Sequence, residues 1–421
     1  MKKIICLILS FAIIACFCSC KSNTEDDYSS SVVIYQEEII GGDDVSNENS
    51  QTQNNDVTTQ TGSSKQPASP NSNPTNSNGS AQSSTSASED EGIFEFNNAQ
   101  VLSQIKTNGR CSAVSNGIEL DFVGSAIEFN ADCTAVDVHI DAVSDVYFSI
   151  YVDGKLTQER VVISSGSNAL TLARNLSAGV HNFKLVRETE AGTGRKVVVT
   201  KIQLGGGNSS LSSKPQNKSI LIEFLGDSLS SGYGNLTTGN NNAGDAKYQN
   251  GLKAYPYLVA DKLGADYRIV SRSGIGLKYG HESLPTFPEF YAAENYFESS
   301  SIKYSSSNSA DVNVVIVNLG TNDYDKGYEA SAYEQYYADL INNIGYSKNA
   351  KIVLMAGGGW EKRYNASFEG AKAKLNALGY SNVYTYTSEC YTSGGASHPS
   401  ADEHTKIADS LVNFLKQNSI A

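Results

Sequence analysis

Near Leu204 the spacing of apolar residues changes period, and that change divides the chain. From Gly92 to about Leu204 the apolar residues alternate or run in short blocks: GIELDFVGSAIEFNA, AVDVHIDA, VYFSIYVDGKL, ERVVIS, HNFKLVRE and RKVVVTKIQL, split by Gly, Asp and Ser. Period two puts one face of a strand on a core and the other in solvent. Short strands at this spacing predict an all-β antiparallel sandwich over 92–205, with no helix required. A Gly/Ser/Asn/Pro segment, 206–217, reads as a linker. From Lys218 onward apolar runs alternate with helical patterns. The strands are SILIEFLG, YRIVSRSG, VNVVIVNLG, KIVLMAG and NVYTYTS, and the helices Ala254–Leu263, Tyr328–Ile344, Ser367–Leu378 and Ala401–Lys416. Ser400 is the expected N-cap of the last helix, with Glu403 at its third position. This is an α/β pattern, 218–421, in which a parallel sheet is covered on both faces. Such sheets bind ligands beyond the carboxyl ends of their strands.

The first residues belong to neither domain. Lys2 and Lys3 precede an apolar run, Ile4 to Phe17, too short to span a bilayer, followed by Ser19 and Cys20. Residues 1–19 read as a secretory signal that resembles a bacterial lipoprotein leader; Cys18 in place of Cys20, and simple secretion with cleavage near Ser19, are the alternatives. The resemblance implies lipidation of Cys20, and the expected location is extracytoplasmic, membrane-anchored at the cell surface through lipid alone. Residues 20–91 are Ser, Thr, Asn, Gln, Gly and Pro with acidic residues and no apolar period, a flexible tether. With Cys20 set aside, Cys111, Cys133 and Cys390 remain, an odd number. Cys111 and Cys133 lie in the same β-rich region and could pair. No metal-ligand spacing occurs and the five histidines are scattered, so neither metal nor cofactor is expected. A net charge of −13 argues against nucleic acid, which requires a basic patch, and is compatible with neutral polysaccharide. The chain is expected to be a monomer. Its 24 tyrosines read mainly as sheet and core residues.

Chemistry-grade residues gather where the α/β pattern places strand ends. Gly226-Asp227-Ser228 follows the first strand and enters a Gly-rich turn, which can expose a hydroxyl; the same tripeptide also occurs in plain turns. Gly274 follows the second strand in SRSGIGL. Asn322 and Asp323 follow the third in VIVNLGTND, where an amide can donate to developing negative charge or satisfy loop backbone. A serine is a poor nucleophile until a base takes its proton, and His398 in GGASHPS stands before the last helix as that base. His404, one turn into the helix, is expected to pack or hydrogen-bond locally. Trp360, the single tryptophan, and Tyr279 could each form a platform beside Ser228 or plug a loop.

Taken in order, GDSLSSGYG, SRSGIGL, GTND and SHPS make the second domain similar to SGNH-type (GDSL) hydrolases, whose domain is a flavodoxin-like three-layer fold. A jelly-roll-like sandwich in front, with GSAIEF, IYVDGKL and GVHNFKLVRETEAG, narrows the resemblance to carbohydrate esterase family two, bacterial enzymes that remove acetyl groups from plant polysaccharides. The resemblance implies Ser228 as nucleophile, His398 as base, and an oxyanion hole of Ser228 N–H, Gly274 N–H and the Asn322 side chain, acting on acetylated poly- or oligosaccharide. SGNH hydrolases usually carry an Asp two or three residues before the histidine; here Gly395 and Ala396 stand there. The family two resemblance implies a Ser228–His398 dyad with a backbone carbonyl in the place of the acid; Asp227 reads as a loop-fixing residue rather than a third catalytic member. Ser397 stands where some relatives have a tryptophan that packs on the sugar.

Overall fold

The computed structural model describes residues 92–191, 196–281, 284–293 and 309–421. The leader, Cys20 and the tether lie outside the described residues.

Period two in the first domain produces two antiparallel sheets. One runs β3(Ser112–Val114)-β4(Gly117–Glu119)-β11(Val197–Gly205)-β6(Ala135–Ala142)-β9(Gly166–Ala173), with β1(Gly92–Glu95) also paired to β11. The other runs β12(Ser210–Leu211)-β5(Ala126–Asp132)-β10(Val180–Arg187)-β7(Val146–Val152)-β8(Lys155–Ile163), with β2(Lys106–Asn108) also on β5. Strict alternation in β6 sends Val136, Val138 and Ile140 inward. They share a core with Phe129, Phe148 and Phe183 from the facing sheet. Two details differ from expectation. A short helix, α1(Ala99–Gln104), bridges the first two strands, capped by the Asn98 side chain on Gln100 N–H at 2.8 Å. The segment read as linker also carries β12, whose Ser210 and Leu211 pair with Asp132 and Ala131 and extend the sheet.

The second domain is one parallel sheet, β14(Asp266–Ser271)-β13(Leu221–Gly226)-β15(Val314–Asn318)-β16(Lys351–Gly358)-β17(Val383–Cys390). Alternate residues serve opposite faces. Ile222, Phe224, Val314, Ile316, Val353 and Met355 pack under α3(Tyr255–Leu263) and α7(Ala401–Gln417). Leu225, Val315, Val317, Ile352 and Leu354 pack under α5(Ala330–Ile344) and α6(Phe368–Ala377). The long helices begin and end within two residues of the positions read from the sequence. Two short ones, α2(Ser228–Ser231) and α4(Phe287–Ala292), were not legible there. From β13 the chain steps to one side for β14 and to the other for β15. That reversal opens a crevice at the carboxyl ends of β13 and β15.

The sandwich and the α/β domain share cores. Val123, Ala126 and Val186 join the apolar layer beneath α3 and α7, and Phe122 and Ala191 join the layer on the opposite face. Arg110 reaches across to the Tyr291 carbonyl at 2.7 Å while its guanidinium lies 4.2 Å from that residue's ring centroid. The segments carrying Phe122 and Ala191 are tied together by Arg187, fully buried, which donates to the carbonyls of Leu120 (2.5 Å) on one and of Thr189 (2.7 Å) and Glu190 (3.4 Å) on the other. Arg187→Ala removes three charge-assisted bonds from groups that have no water to turn to. The expected loss is about 3 to 5 kcal/mol. Because the cores are shared, urea unfolding should remain a single transition, with ellipticity and tyrosine fluorescence shifting together. Separate midpoints for the two domains would contradict the shared core.

Candidate active site

Gly226 ends β13 at a point where a Cβ would lie 1.9 Å from Ser230 Oγ, so only glycine lets the strand turn directly into α2. Asp227 caps that helix, accepting Leu229 N–H at 3.0 Å, and Ser228 is the first helical residue. The Ser228 and His398 side chains meet at Oγ–Nε2 2.8 Å. The other imidazole nitrogen, Nδ1, lies 2.9 Å from the Ala396 carbonyl oxygen. That carbonyl can only accept, so Nδ1 carries the hydrogen and bare Nε2 faces the serine hydroxyl. The arrangement is that of a nucleophile and a base in contact.

The carbonyl is delivered by an unusual backbone. Ala396 and Ser397 both take left-handed conformations, φ +50° and +58°, each costing about 1–2 kcal/mol for a residue other than glycine. Neighbouring strands of loop hold them there: Ala396 N–H donates to Gly239 at 2.7 Å, Gly395 N–H to Gly234 at 2.9 Å and Gly394 N–H to the His398 carbonyl at 2.7 Å. Of the two carboxylates at the start of α7, one is engaged elsewhere and the other faces solvent. Glu403 accepts from Ser400 N–H and Ser393 N–H, each at 3.0 Å, and Asp402 is exposed on α7. Burial pushes the His398 imidazole down from 6.5 to about 4 against the opposing pull of the Ala396 and Gly395 carbonyls, so it is neutral at pH 7.

Past β15, Asn322 points its amide nitrogen at the Ile275 carbonyl (2.8 Å) and, more weakly, at Asp227 Oδ2 (3.4 Å). Burial raises the Asp227 carboxyl to about 7; Leu229 N–H opposes this and the charge of Asp323 adds to it. Asp323 organises the loop after Gly274. Its carboxylate accepts the N–H groups of Leu277, Lys278 and Tyr279, all at 2.7 Å, and the Tyr333 hydroxyl at 2.9 Å. Gly274 itself has φ +80°, and a Cβ there would press on Leu284 and His281.

Ser228, Gly274, Asn322, Trp360 and His398 line one cavity of about 490 Å³. Trp360 meets the imidazole edge-on, ring centroids 5.0 Å apart at 88°, and Tyr233 covers another side at 4.8 Å. The tryptophan therefore abuts the base as well as the cavity. Tyr279 is 41% exposed and outside the lining. His404 packs on Tyr255 and accepts its N–H at 3.3 Å, as expected of a local role. Cys111 and Cys133, which could have paired, are both free thiols. Tyr233, Ser273 and Leu284 also line the cavity. Of these only Tyr233 had a local signal, its place in the GDSLSSGYG turn; Ser273 and Leu284 had none.

Residues 224–381 match the model of the GDSL-like Lipase/Acylhydrolase family, and residues 107–212 that of the Carbohydrate esterase 2 N-terminal family. The cellulase/esterase CelE of Acetivibrio thermocellus is 28% identical over 54% of this chain, which spans only 28% of that relative's length. The acetylxylan esterase / glucomannan deacetylase of Cellvibrio japonicus is 24% identical over 64% of this chain and 78% of its own. A family two carbohydrate esterase from Clostridium thermocellum, solved in complex with cellohexaose, superimposes with a TM-score of 0.66 at 25% identity, covering 75% of this chain and 99% of that one. The acetyl xylan esterase Est2A of Butyrivibrio proteoclasticus shares the fold, with a TM-score of 0.68 at 19% identity over 78% of this chain and 98% of its own. The chain thus couples a GDSL-like acylhydrolase domain to a domain of the carbohydrate esterase 2 N-terminal kind.

Two outcomes follow from the site. Protonated His398 cannot take the serine proton, so kcat/KM should show an acid limb as pH drops through about 4. An acid limb centred near 6.5 that persists in Asp227→Asn, and so does not belong to the raised Asp227 carboxyl, would mean that the imidazole is solvated. With a carbonyl orienting the base, Asp402→Asn and Glu403→Gln should each keep kcat/KM within about ten-fold, about 1.4 kcal/mol of barrier. A thousand-fold collapse at unchanged melting temperature would sink the dyad.

Proposed function

We propose that the protein is a serine esterase that removes O-acetyl groups from plant cell-wall polysaccharide of the xylan or glucomannan type, using a Ser228–His398 dyad. The observation that carries this reading is the Ser228–His398 contact at 2.8 Å opening on a cavity shared with Gly274 and Asn322. Ser228 Oγ attacks the acetyl carbonyl as His398 Nε2 takes its proton. The negative oxygen is met by the N–H groups of Ser228 and Gly274 and by the Asn322 amide, for which Asn322 must turn from its present acceptors. The carbon–oxygen bond to the sugar breaks, and the sugar hydroxyl leaves with the proton from His398. Water, deprotonated by the same imidazole, then releases acetate and restores the serine.

The substrate class is supported by the relatives, which include an enzyme named for acetylxylan and glucomannan. The leader and Cys20 support placement at a cell surface by a lipid anchor, with the tether giving reach toward an insoluble substrate.

Acetate release should be measured from acetylated xylan, acetylated glucomannan, O-acetylated peptidoglycan and a p-nitrophenyl ester series. Release from the plant polysaccharides, abolished by Ser228→Ala and slowed about a hundred- to a thousand-fold by Asn322→Ala, is the expected outcome. Release from peptidoglycan alone, or turnover only of long-chain esters, would assign another acyl substrate. Binding of polysaccharide without any acetate release would make the protein a carbohydrate-binding one.

A further inference from the structure

The cavity wall that carries Gly274 is held from outside the hydrolase domain. Glu190 follows β10 of the sandwich and is buried, 4% exposed. One carboxylate oxygen accepts the backbone N–H of Ser273 at 2.8 Å, and the other accepts the Ser273 hydroxyl. The Gln249 side chain stands beside the second oxygen at 3.5 Å. The backbone of Glu190 is itself fixed, because Arg187 donates to its carbonyl and to that of Thr189, and Ala191 is embedded in the hydrolase core.

Ser273 immediately precedes Gly274, and both line the cavity with Ser228. Two bonds to one residue from a single buried carboxylate leave Ser273 little rotational freedom. On the far side, the Gly274 carbonyl accepts His281 N–H at 2.7 Å. The peptide bearing the Gly274 N–H is therefore held on both flanks. One hold comes from its own loop and the other from the sandwich. A donor contributes to an oxyanion only when it is aligned before charge develops, and a shift of about 1 Å can cost a hundred-fold.

We propose that Glu190 is a positioning residue for the ester chemistry: from the β-sandwich it fixes Ser273 so that the Gly274 N–H is aligned on the oxygen that gains charge. The proposal rests on the esterase reading above. A negative charge near an oxyanion is repulsive, so the value of Glu190 lies in the reach and acceptor geometry of its side chain. Glutamine keeps that reach, accepting the N–H and donating to the hydroxyl. Aspartate keeps the charge and loses one methylene of reach.

The full chain and its Glu190→Gln and Glu190→Asp variants should be compared on p-nitrophenyl acetate and in irreversible labelling of Ser228 by an alkyl fluorophosphonate, whose phosphoryl oxygen occupies the same donors. The aspartate variant should lose about ten- to a hundred-fold in kcat with KM within about two-fold, and its labelling rate should fall by the same factor. The glutamine variant should rescue both rates to within about three-fold. An aspartate variant as fast as the unaltered chain, equal losses in both variants, or a loss confined to KM would each overturn the proposal. If the aspartate variant does not fold, Ser273→Ala, which deletes one of the two bonds, should lower kcat about three- to ten-fold at constant KM, and no change would overturn it. An unaltered chain that labels with fluorophosphonate yet releases no acetate refutes the acetyl-ester reading and leaves the Glu190 comparison intact. One inert to both reagents overturns both.

Discussion

The hydrogen bond between His398 Nδ1 and the Ala396 carbonyl sets what the rest of the site must do. A carboxylate in that place would stabilise the imidazolium by charge; a carbonyl offers a partial charge and a fixed direction. Burial makes the base hard to protonate, and the carbonyl offsets this only in part. In the proposed esterase, stabilisation of the reacting state would then fall more heavily on the donors facing the acyl oxygen. This is consistent with how much structure converges on them: Asp323 gathers three backbone N–H groups behind Gly274, and Glu190 holds the residue before it.

Delivering that carbonyl requires two successive residues in left-handed conformations, which local propensity opposes. The opposition is met by the loop following α2, whose Gly234 and Gly239 carbonyls take the N–H groups of Gly395 and Ala396. The loop that follows Ser228 thus braces the segment that leads to His398. A similar economy governs the sandwich, which fills gaps in the hydrolase core with Phe122, Val123, Val186 and Ala191 and whose Arg187 fixes the turn from which Glu190 extends.

Much of this was legible in the sequence because it is carried by local signals. Apolar period located the sandwich and all five parallel strands, and the Ser400 capping box marked the start of α7. Ser228, Gly274, Asn322 and His398 were legible because each follows an apolar strand or opens a helix, and the structure brings them to one cavity. What the sequence hid depends on contacts between distant positions. Nothing near Glu190 says that it meets Ser273, 83 residues away. Nothing near Tyr279 tells a surface ring from a cavity wall. The short helices α1, α2 and α4 span too few residues for a helical period to register, and the two-residue β12 is defined only by its partner.

Trp360 is the single tryptophan of the chain, and its ring meets the His398 imidazole edge-on. All indole emission from the protein therefore originates beside the base. An imidazolium quenches indole fluorescence where a neutral imidazole does so less, and a ligand filling the cavity changes the polarity the indole senses. Emission intensity and wavelength thus follow the protonation of His398 and the occupancy of its cavity, with no label attached and no second tryptophan to obscure them.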